Sequence, residues 1–492
     1  MVSAKIGHQP SLAELVRMED PEFYLDPHPV YDRMRREQPV YYYPPLDIFV
    51  LTRYADMREA ARRPDLFSSA HGVVLSQLQY QRDGATEIMD QFIDPEGEIF
   101  AFTDPPRHRE LRKVLMPAFS PRAVTAMSAR IGEACRLLVE SISPGAVTDV
   151  VERIAARLPI LVAARLLGVP AEDAADIKRW SDARELLTSG VGSRAQLRRA
   201  ATVFSEMNGF LLGQFDAKRA SPGDDLMSVL LGEELDGAPL SEPRLLTYCH
   251  QVLSVGNDTT RSLLASFAIA LAQHPDQLDL LAADRTLMPA AIEEALRWST
   301  PGRGFVRTAT RDTEIAGRPI RAGQRIYLLY AAGNFDPAVF PQPRRFNILR
   351  DTDQQHMAFG FGPHVCIAGQ LVRLVTALLF GELLDRYPRF ELAGRPEPTL
   401  HVLRNGWRSA DSVRHLLPGA QAIKTGPRMK ITVDRDRCVG SAYCQRIAPA
   451  TFDLGDDGIA VVLDADVARP QAAAAREAEA DCPSMAISVE ES

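Results

Sequence analysis

The sequence predicts a mainly helical domain with small β-sheets, followed by a small α+β domain. Three observations carry that expectation. From 121 to 240 the chain is rich in Ala, Leu, Arg and Glu with mostly helical patterning, and a long apolar helix follows over roughly 241–273. Short alternating stretches, Val40-Tyr41-Tyr42-Tyr43 and Ile48-Phe49-Val50-Leu51, read instead as a hairpin. Near the end, a segment with Pro and Gly at both ends precedes a new alternating strand, Met429 to Asp434.

Composition sets bounds on function. At 492 residues the chain exceeds the size at which one core stops growing, so more than one domain is expected. Hydrophobic content of 46% and charged content of 24% are those of a globular protein, excluding a disordered or fibrous chain. A net charge of −8 argues against nucleic acid as a partner. No run of about 20 apolar residues is present, and Met1 to Asp20 lacks the charged-then-apolar pattern of a signal peptide. No transmembrane segment and a cytoplasmic location are therefore expected. The cysteines, Cys135, Cys249, Cys366, Cys438, Cys444 and Cys482, are too few and dispersed for a disulfide framework. Three of them fall close together near the C-terminus.

In chain order, Pro44-Pro45 occupies the turn of the first hairpin. Residues 70–100 hold no sustained period and read as one long loop, a kind of segment that is usually functional. Thr103-Asp104-Pro105-Pro106 then signals a helix start. On that helix His108 and Arg112 share a face, which suits a dianionic ligand or, more simply, a solvated basic surface with Arg107, Arg109 and Lys113. Gly168-Val169-Pro170 and 221–225 break the helices that follow, and 175–220 shows no recognisable chemistry. In the long apolar helix, Gly256-Asn257-Asp258-Thr259-Thr260 breaks the local rule. These residues are poor helix formers whose side chains compete for the backbone, which marks a functional site or a helix distortion filled by hydroxyls. Glu294 and Arg297 share a face of a short helix ended by Pro301, a weak signal alone.

The strongest signal is Phe359-Gly360-Phe361-Gly362-Pro363-His364-Val365-Cys366-Ile367-Ala368-Gly369. A cysteine in a glycine-tightened loop, just before the apolar run Leu371 to Leu384, faces a helix N-terminus that favours its thiolate as a metal ligand. A buried structural cysteine is the bland alternative. The phrase resembles the haem-binding loop of the cytochrome P450 family, with Ala368 where that family normally has glycine. The resemblance extends over 1–417 and implies the fold of that family and haem b, with Cys366 as iron ligand and Phe359 and Gly362 shaping the loop. It implies propionate contacts from His108, Arg112, Arg307 and His364. Asp258 would relay protons and Thr259 would hydrogen-bond dioxygen and water. Glu294, Arg297 and Arg350 would form a structural network. Residues 70–100 would lie over the haem, and 175–220 would be a mobile lid. Substrate contacts would come from Val252, Val255, Gly256, Gly302, Arg303 and Phe305. Gly302 and Gly304 leave room beside the haem. Arg303 either meets an anionic substrate group or, the favoured reading, points to solvent.

The tail reads as a linker, 418–427, and a second domain, 428–492. Cys438, Cys444 and Cys482-Pro483 suggest iron–sulfur ligation. A disulfide or a zinc site lacking its fourth ligand are the alternatives. The segment resembles small bacterial ferredoxins, with Ser441 at the middle ligand position, so three thiolates imply a 3Fe-4S cluster. The domain carries 7 basic and 12 acidic residues, a surface suited to docking on basic faces. No Gly-x-Gly-x-x-Gly fingerprint is visible, so a separate NAD(P)H-dependent flavoprotein ferredoxin reductase is expected. Together these readings imply a monooxygenase fed by its own ferredoxin, inserting one atom of O2 into a small apolar substrate such as a lipid, sterol, terpenoid or polyketide. Desaturation, epoxidation or C–C cleavage by the same machinery is the nearest alternative, and a haem-thiolate redox or gas sensor is a rival from another class.

Overall fold

The computed structural model describes residues 10–84, 98–143, 146–170, 173–351, 355–410, 413–415, 429–438, 444 and part of 448–491. The chain divides into two units, one of Met1–Leu278 with Met288–His415 and one of Asp279–Leu287 with Leu416–Ser492. The expected linker, 418–427, lies outside the described residues.

In the first unit the Val40–Tyr43 and Ile48–Leu51 strands pair antiparallel, Val40 opposite Leu51 and Tyr43 opposite Ile48. They begin a five-stranded sheet that continues through Arg325–Leu328, Phe305–Ala309 and Phe67–Ser68. Ile48, Val50, Leu51, Ile326 and Leu328 are fully buried, and burial on both faces explains why this sheet reads as β-branched and aliphatic runs. Helices make up most of the rest. Gly168 closes the Leu158–Leu167 helix in the left-handed conformation, a stop that glycine adopts without a Cβ penalty.

The long apolar stretch is not one regular helix. An α-helix over Glu242–His250 gives way to a π-helical turn at Gln251–Val255 and resumes as Gly256–Gln273. The break falls just ahead of the Gly-Asn-Asp-Thr cluster, where side chains that compete for backbone hydrogen bonds loosen the ladder. From there on the helix is buried nearly all round, with Leu263, Phe267 and Leu271 fully enclosed.

One expectation needs correction, and one is sharpened. Residues 70–100 are not all loop, because Leu75–Arg82 is a helix. It lacks an amphipathic period because six of its eight residues are buried, polar Ser76, Gln77 and Gln79 among them. The 175–220 stretch is two helices, Ala174–Thr188 and Arg194–Ala220, the second opened by Ser193 capping the Gln196 amide.

In the second unit Met429–Val433 lies between Asp466–Val467 and Ile487–Glu491, antiparallel to both, with Val433 opposite Ile487. Phe452–Leu454 and Ala460–Val462 form a separate hairpin. Among the described residues its core is built on Ile431, Phe452, Ala478, Ile487 and Val489. A unit this short needs a staple.

Candidate active site and cluster site

Cys366 is presented by backbone geometry. Gly360 and Gly362 both adopt positive φ, and a Cβ on Gly362 would collide with the Ala61 carbonyl oxygen. The Cys366 amide donates to the Phe359 carbonyl at 2.8 Å, closing the loop. Ala368, the residue that departs from the expected glycine, sits at φ −87°, ψ 7° and precedes the Gly369–Arg386 helix, so nothing in its backbone demands glycine. Its amide points at the sulfur. Burial pushes the Cys366 thiol up, while that amide, Arg112 and Arg373 favour the thiolate.

The loop is braced from beneath by two buried ion networks. Glu294 takes a bidentate pair from Arg297, at 2.7 and 2.8 Å, with both side chains fully buried. Arg350 adds a third member at 3.1 Å and donates to the Pro341 and Arg345 carbonyls. The remaining Arg297 donors reach the carbonyls of Asn334 and Pro343. The neighbouring Glu293 binds Arg373 at 2.6 and 2.8 Å and His356 at 3.0 Å. Burial opposes its ionisation, but those partners outweigh it and hold the carboxyl at about 2. Arg373 in turn covers the Phe359 ring, 4.7 Å from its centroid. This second network was not foreseen, because Glu293, His356 and Arg373 share no motif.

Above the cysteine, one cavity is lined by Cys366 and by His108's neighbours Arg112, Arg307 and His364. The Arg107–Leu115 helix buries His108 and turns Arg107 the other way, onto Glu98, Glu110 and Asp236. The His108 and His364 rings lie 4.2 Å apart, and Ser69 Oγ is 3.2 Å from His364 Nε2. Burial, then Arg112, pulls His108 down to about 4, and burial, then Arg307, pulls His364 to about 3. Neither ring nitrogen of His108 and not Nη1 of Arg112 has a hydrogen-bond partner among the described residues. Unmatched buried donors beside a presented thiolate fit a flat dianionic cofactor with an iron centre, which is a haem.

The far wall is built around Asp258 and Thr259, both lining the cavity. Asp258 meets Arg404 Nη1 at 3.2 Å and lies 3.5 Å from Ser181 Oγ, which also accepts from Asn257 at 2.7 Å. Burial pushes Asp258 up to about 6 against the pull of Arg404. Arg404 also pairs with Glu185. Sequence reading found no chemistry in 175–220, yet Ser181, Arg184 and Glu185 come from it.

Among the expected substrate contacts, Val252, Gly256, Gly302 and Phe305 line the cavity, while the side chain of Val255 lies outside the described residues. Arg303 does neither of the things expected of it. It is 3% exposed, donates to the His401 carbonyl at 2.6 Å and covers the Tyr24 ring at 4.5 Å, so it packs the structure instead of facing solvent or substrate. Gly304 does not make room either: a Cβ there would strike the Leu328 carbonyl oxygen. Gly302, whose Cβ would meet only the Phe305 ring at 3.8 Å, does leave space.

In the second unit Cys438, Cys444 and Cys482 pack on the same apolar cluster and all are free thiols. The Ala460 amide donates to Cys438 Sγ at 3.5 Å and the Ala486 amide to Cys482 Sγ at 3.3 Å. Against burial, the Ala486 amide and Ser484 lower the Cys482 thiol. Three free cysteines on one apolar cluster, two of them accepting from backbone amides, fit iron–sulfur ligation.

The fold and the thiolate site define a haem-thiolate protein, and the chain belongs to the cytochrome P450 family. It is 33% identical over 407 residues to linalool 8-monooxygenase of Pseudomonas putida, covering 80% of this chain and 98% of that protein. It is 34% identical over 379 residues to a steroid C26-monooxygenase of Mycobacterium tuberculosis, covering 77% and 90%. Cytochrome P450 family profiles match residues 194–402, and the profile of the 4Fe-4S single cluster domain matches 431–489. Among solved structures, CYP108D1 from Novosphingobium aromaticivorans superposes with a TM-score of 0.73 at 29% identity, covering 83% of this chain and all of that one. The chain is thus a cytochrome P450 monooxygenase, a haem enzyme using O2 and a substrate, with a ferredoxin-type iron–sulfur domain at its C-terminus. No described helix is long and apolar enough to cross a membrane.

Proposed function

We propose that the C-terminal domain delivers electrons to the haem of its own chain, and that the chain hydroxylates an apolar terpenoid- or steroid-like substrate at a C–H bond. The observation that carries this reading is the presence in one chain of a presented thiolate, an Asp258–Thr259 wall and three cysteines packed on one apolar cluster. A tether of roughly ten residues replaces a bimolecular encounter with an effective concentration on the order of millimolar. Relatives named for linalool and for steroids, together with the largely apolar cavity, support the substrate class.

His108, Arg112, Arg307 and His364 would hold the haem propionates, and Cys366 the iron. When bound, haem ligated by thiolate supplies the redox chemistry that splits dioxygen. The chain's own residues supply protons and exclude water. Asp258, held near 6, is poised to take a proton from solvent and pass it on, while Ser181 and Arg404 fix its orientation. Thr259 would place its hydroxyl in the cavity as the next donor. These protonic groups favour turnover over a gas or redox sensor; hydroxylation is the simplest of the outcomes the same machinery gives, the others being desaturation, epoxidation and C–C cleavage.

Cys438, Cys444 and Cys482 provide three thiolates, with Ser441 where a fourth ligand would come, so we assign a 3Fe-4S cluster. A flavoprotein reductase using NAD(P)H is the electron source. Iron and sulfide analysis of the whole chain tests the assignment: three cluster irons beside one haem iron are expected, and a stable four-iron cluster as isolated would overturn it. A library of terpenoids, steroids and lipids, with reductase and NADPH supplied, tests the activity; failure of every class to give product would refute the substrate reading.

A further inference from the structure

The cavity wall opposite Cys366 holds more cations than it can match. Arg184 and Arg404 line the cavity, and Arg261 stands behind them. Two carboxylates answer these three guanidiniums. Arg404 is shared between Glu185 and Asp258, and Arg261 lies 3.7 Å from Glu185. Arg184 feels Asp258 only at a distance and, among the described residues, its side chain makes no hydrogen bond or ion pair. Its side chain is half-buried where it lines the cavity, and desolvation there lowers its pKa. A guanidinium is not discharged by such a shift, so the cost of leaving it uncompensated persists.

A second side chain faces the same place. His250, the last residue of the Glu242–His250 helix, lines the cavity beside Arg184, packs on the Phe204 ring at 4.9 Å, and leaves buried Nε2 without a hydrogen-bond partner. One unmatched cation therefore stands in the wall of a largely apolar cavity with two unmatched imidazole nitrogens near it, His250 Nε2 and His401 Nε2.

We propose that Arg184 and His250 form an anchor for an anionic oxygen group, a carboxylate, on an otherwise apolar substrate. This rests on the monooxygenase reading above and narrows it from apolar molecules to apolar acids. Arg184 supplies the charge and the forked donors, and His250 donates through Nε2 in its neutral state. His250 lies eight residues before Asp258, across the π-helical turn at Gln251–Val255, so on the order of 10 Å of helix separates them. A substrate anchored there offers for oxidation a carbon remote from its acid group, not the adjacent one.

The test is calorimetric titration of the holoenzyme with dodecanoic, tetradecanoic and hexadecanoic acids and with their methyl esters, on the wild type and on Arg184→Gln and Arg184→Lys. The acids are expected to bind at least tenfold tighter than the esters. That preference should vanish in Arg184→Gln and partly return in Arg184→Lys, with the carbon monoxide spectrum unchanged throughout. Acids binding no tighter than esters, acids not binding at all, or a preference that survives Arg184→Gln would each overturn the anchor. Esters that bind and are hydroxylated without any acid preference would sink this inference alone and leave the monooxygenase reading standing.

Discussion

The two ends of the cavity are built on opposite plans. Behind the Cys366 loop the buried carboxylates are answered, Glu294 by Arg297 and Arg350 and Glu293 by Arg373 and His356, and the sulfur accepts from the Ala368 amide. At the Asp258 end, Arg404 divides itself between two carboxylates, Arg184 stays unmatched, and Asp258 is held near 6. The first arrangement fixes a ligand in place. The second keeps groups available for protons and substrate, which is the usual division between scaffold and reactive site.

Breaking the fixed end should have the largest effect. Cys366→Ser is expected to abolish the red-shifted Soret band that carbon monoxide gives with thiolate-ligated ferrous haem, and all turnover; a retained band would remove Cys366 as ligand. Arg297→Ala breaks a fully buried ion pair and leaves the Glu294 carboxylate with Arg350 as its one cationic partner among the described residues, and losses of this kind cost about 3–5 kcal/mol. Thermal denaturation should show that fall together with lost haem, and a near-wild-type melting temperature would contradict the bracing role.

The reactive end should respond in chemistry more than in stability. Asp258→Asn is expected to slow oxygen-dependent turnover by about 10²- to 10⁴-fold, the range for a lost general acid. Thr259→Ala should divert reductant from product to peroxide; unchanged coupling would take Thr259 out of the proton path. Asp258 also sets a pH signature. Its folded pKa, about 6, lies above the ordinary carboxylate value, so the folded state binds a proton more tightly and loses stability as pH rises through that window. Asp258→Asn should therefore melt higher than wild type at pH 8, with the gap closing toward pH 4; a gap that is the same at both would refute the shift. The smallest effect tests the fixed end again. Ala368→Gly should leave the carbon monoxide spectrum intact and cost only about 0.4–1 kcal/mol, from a freer unfolded chain.

The same contrast explains what could be read in advance. The Phe359–Gly369 loop was legible because its ligand and the glycines that shape it are contiguous, as were the Val40–Leu51 hairpin and the Glu294–Arg297 spacing. Gly256 to Thr260 announced itself by poor helix propensity, although not as a π-helical turn. The Asp258 surroundings were not legible. Ser181, Arg184, Glu185 and Arg404 come from segments more than 200 residues apart, and each looks like a surface residue of an amphipathic helix or a loop until the fold buries it. Arg303 misled for the same reason in reverse, since only the fold shows Tyr24 beneath it and the His401 carbonyl beside it.

By the proposed function, one chain holds both the haem and its electron donor. This is tested by following haem reduction under carbon monoxide in the whole protein, with NADPH and a trace of ferredoxin reductase but no added ferredoxin. The haem should be reduced at a rate per molecule that does not change on dilution of the chain at saturating reductase activity, and Cys482→Ala should stop it. Reduction that waits for an external ferredoxin, or that proceeds unchanged in Cys482→Ala, would contradict the claim.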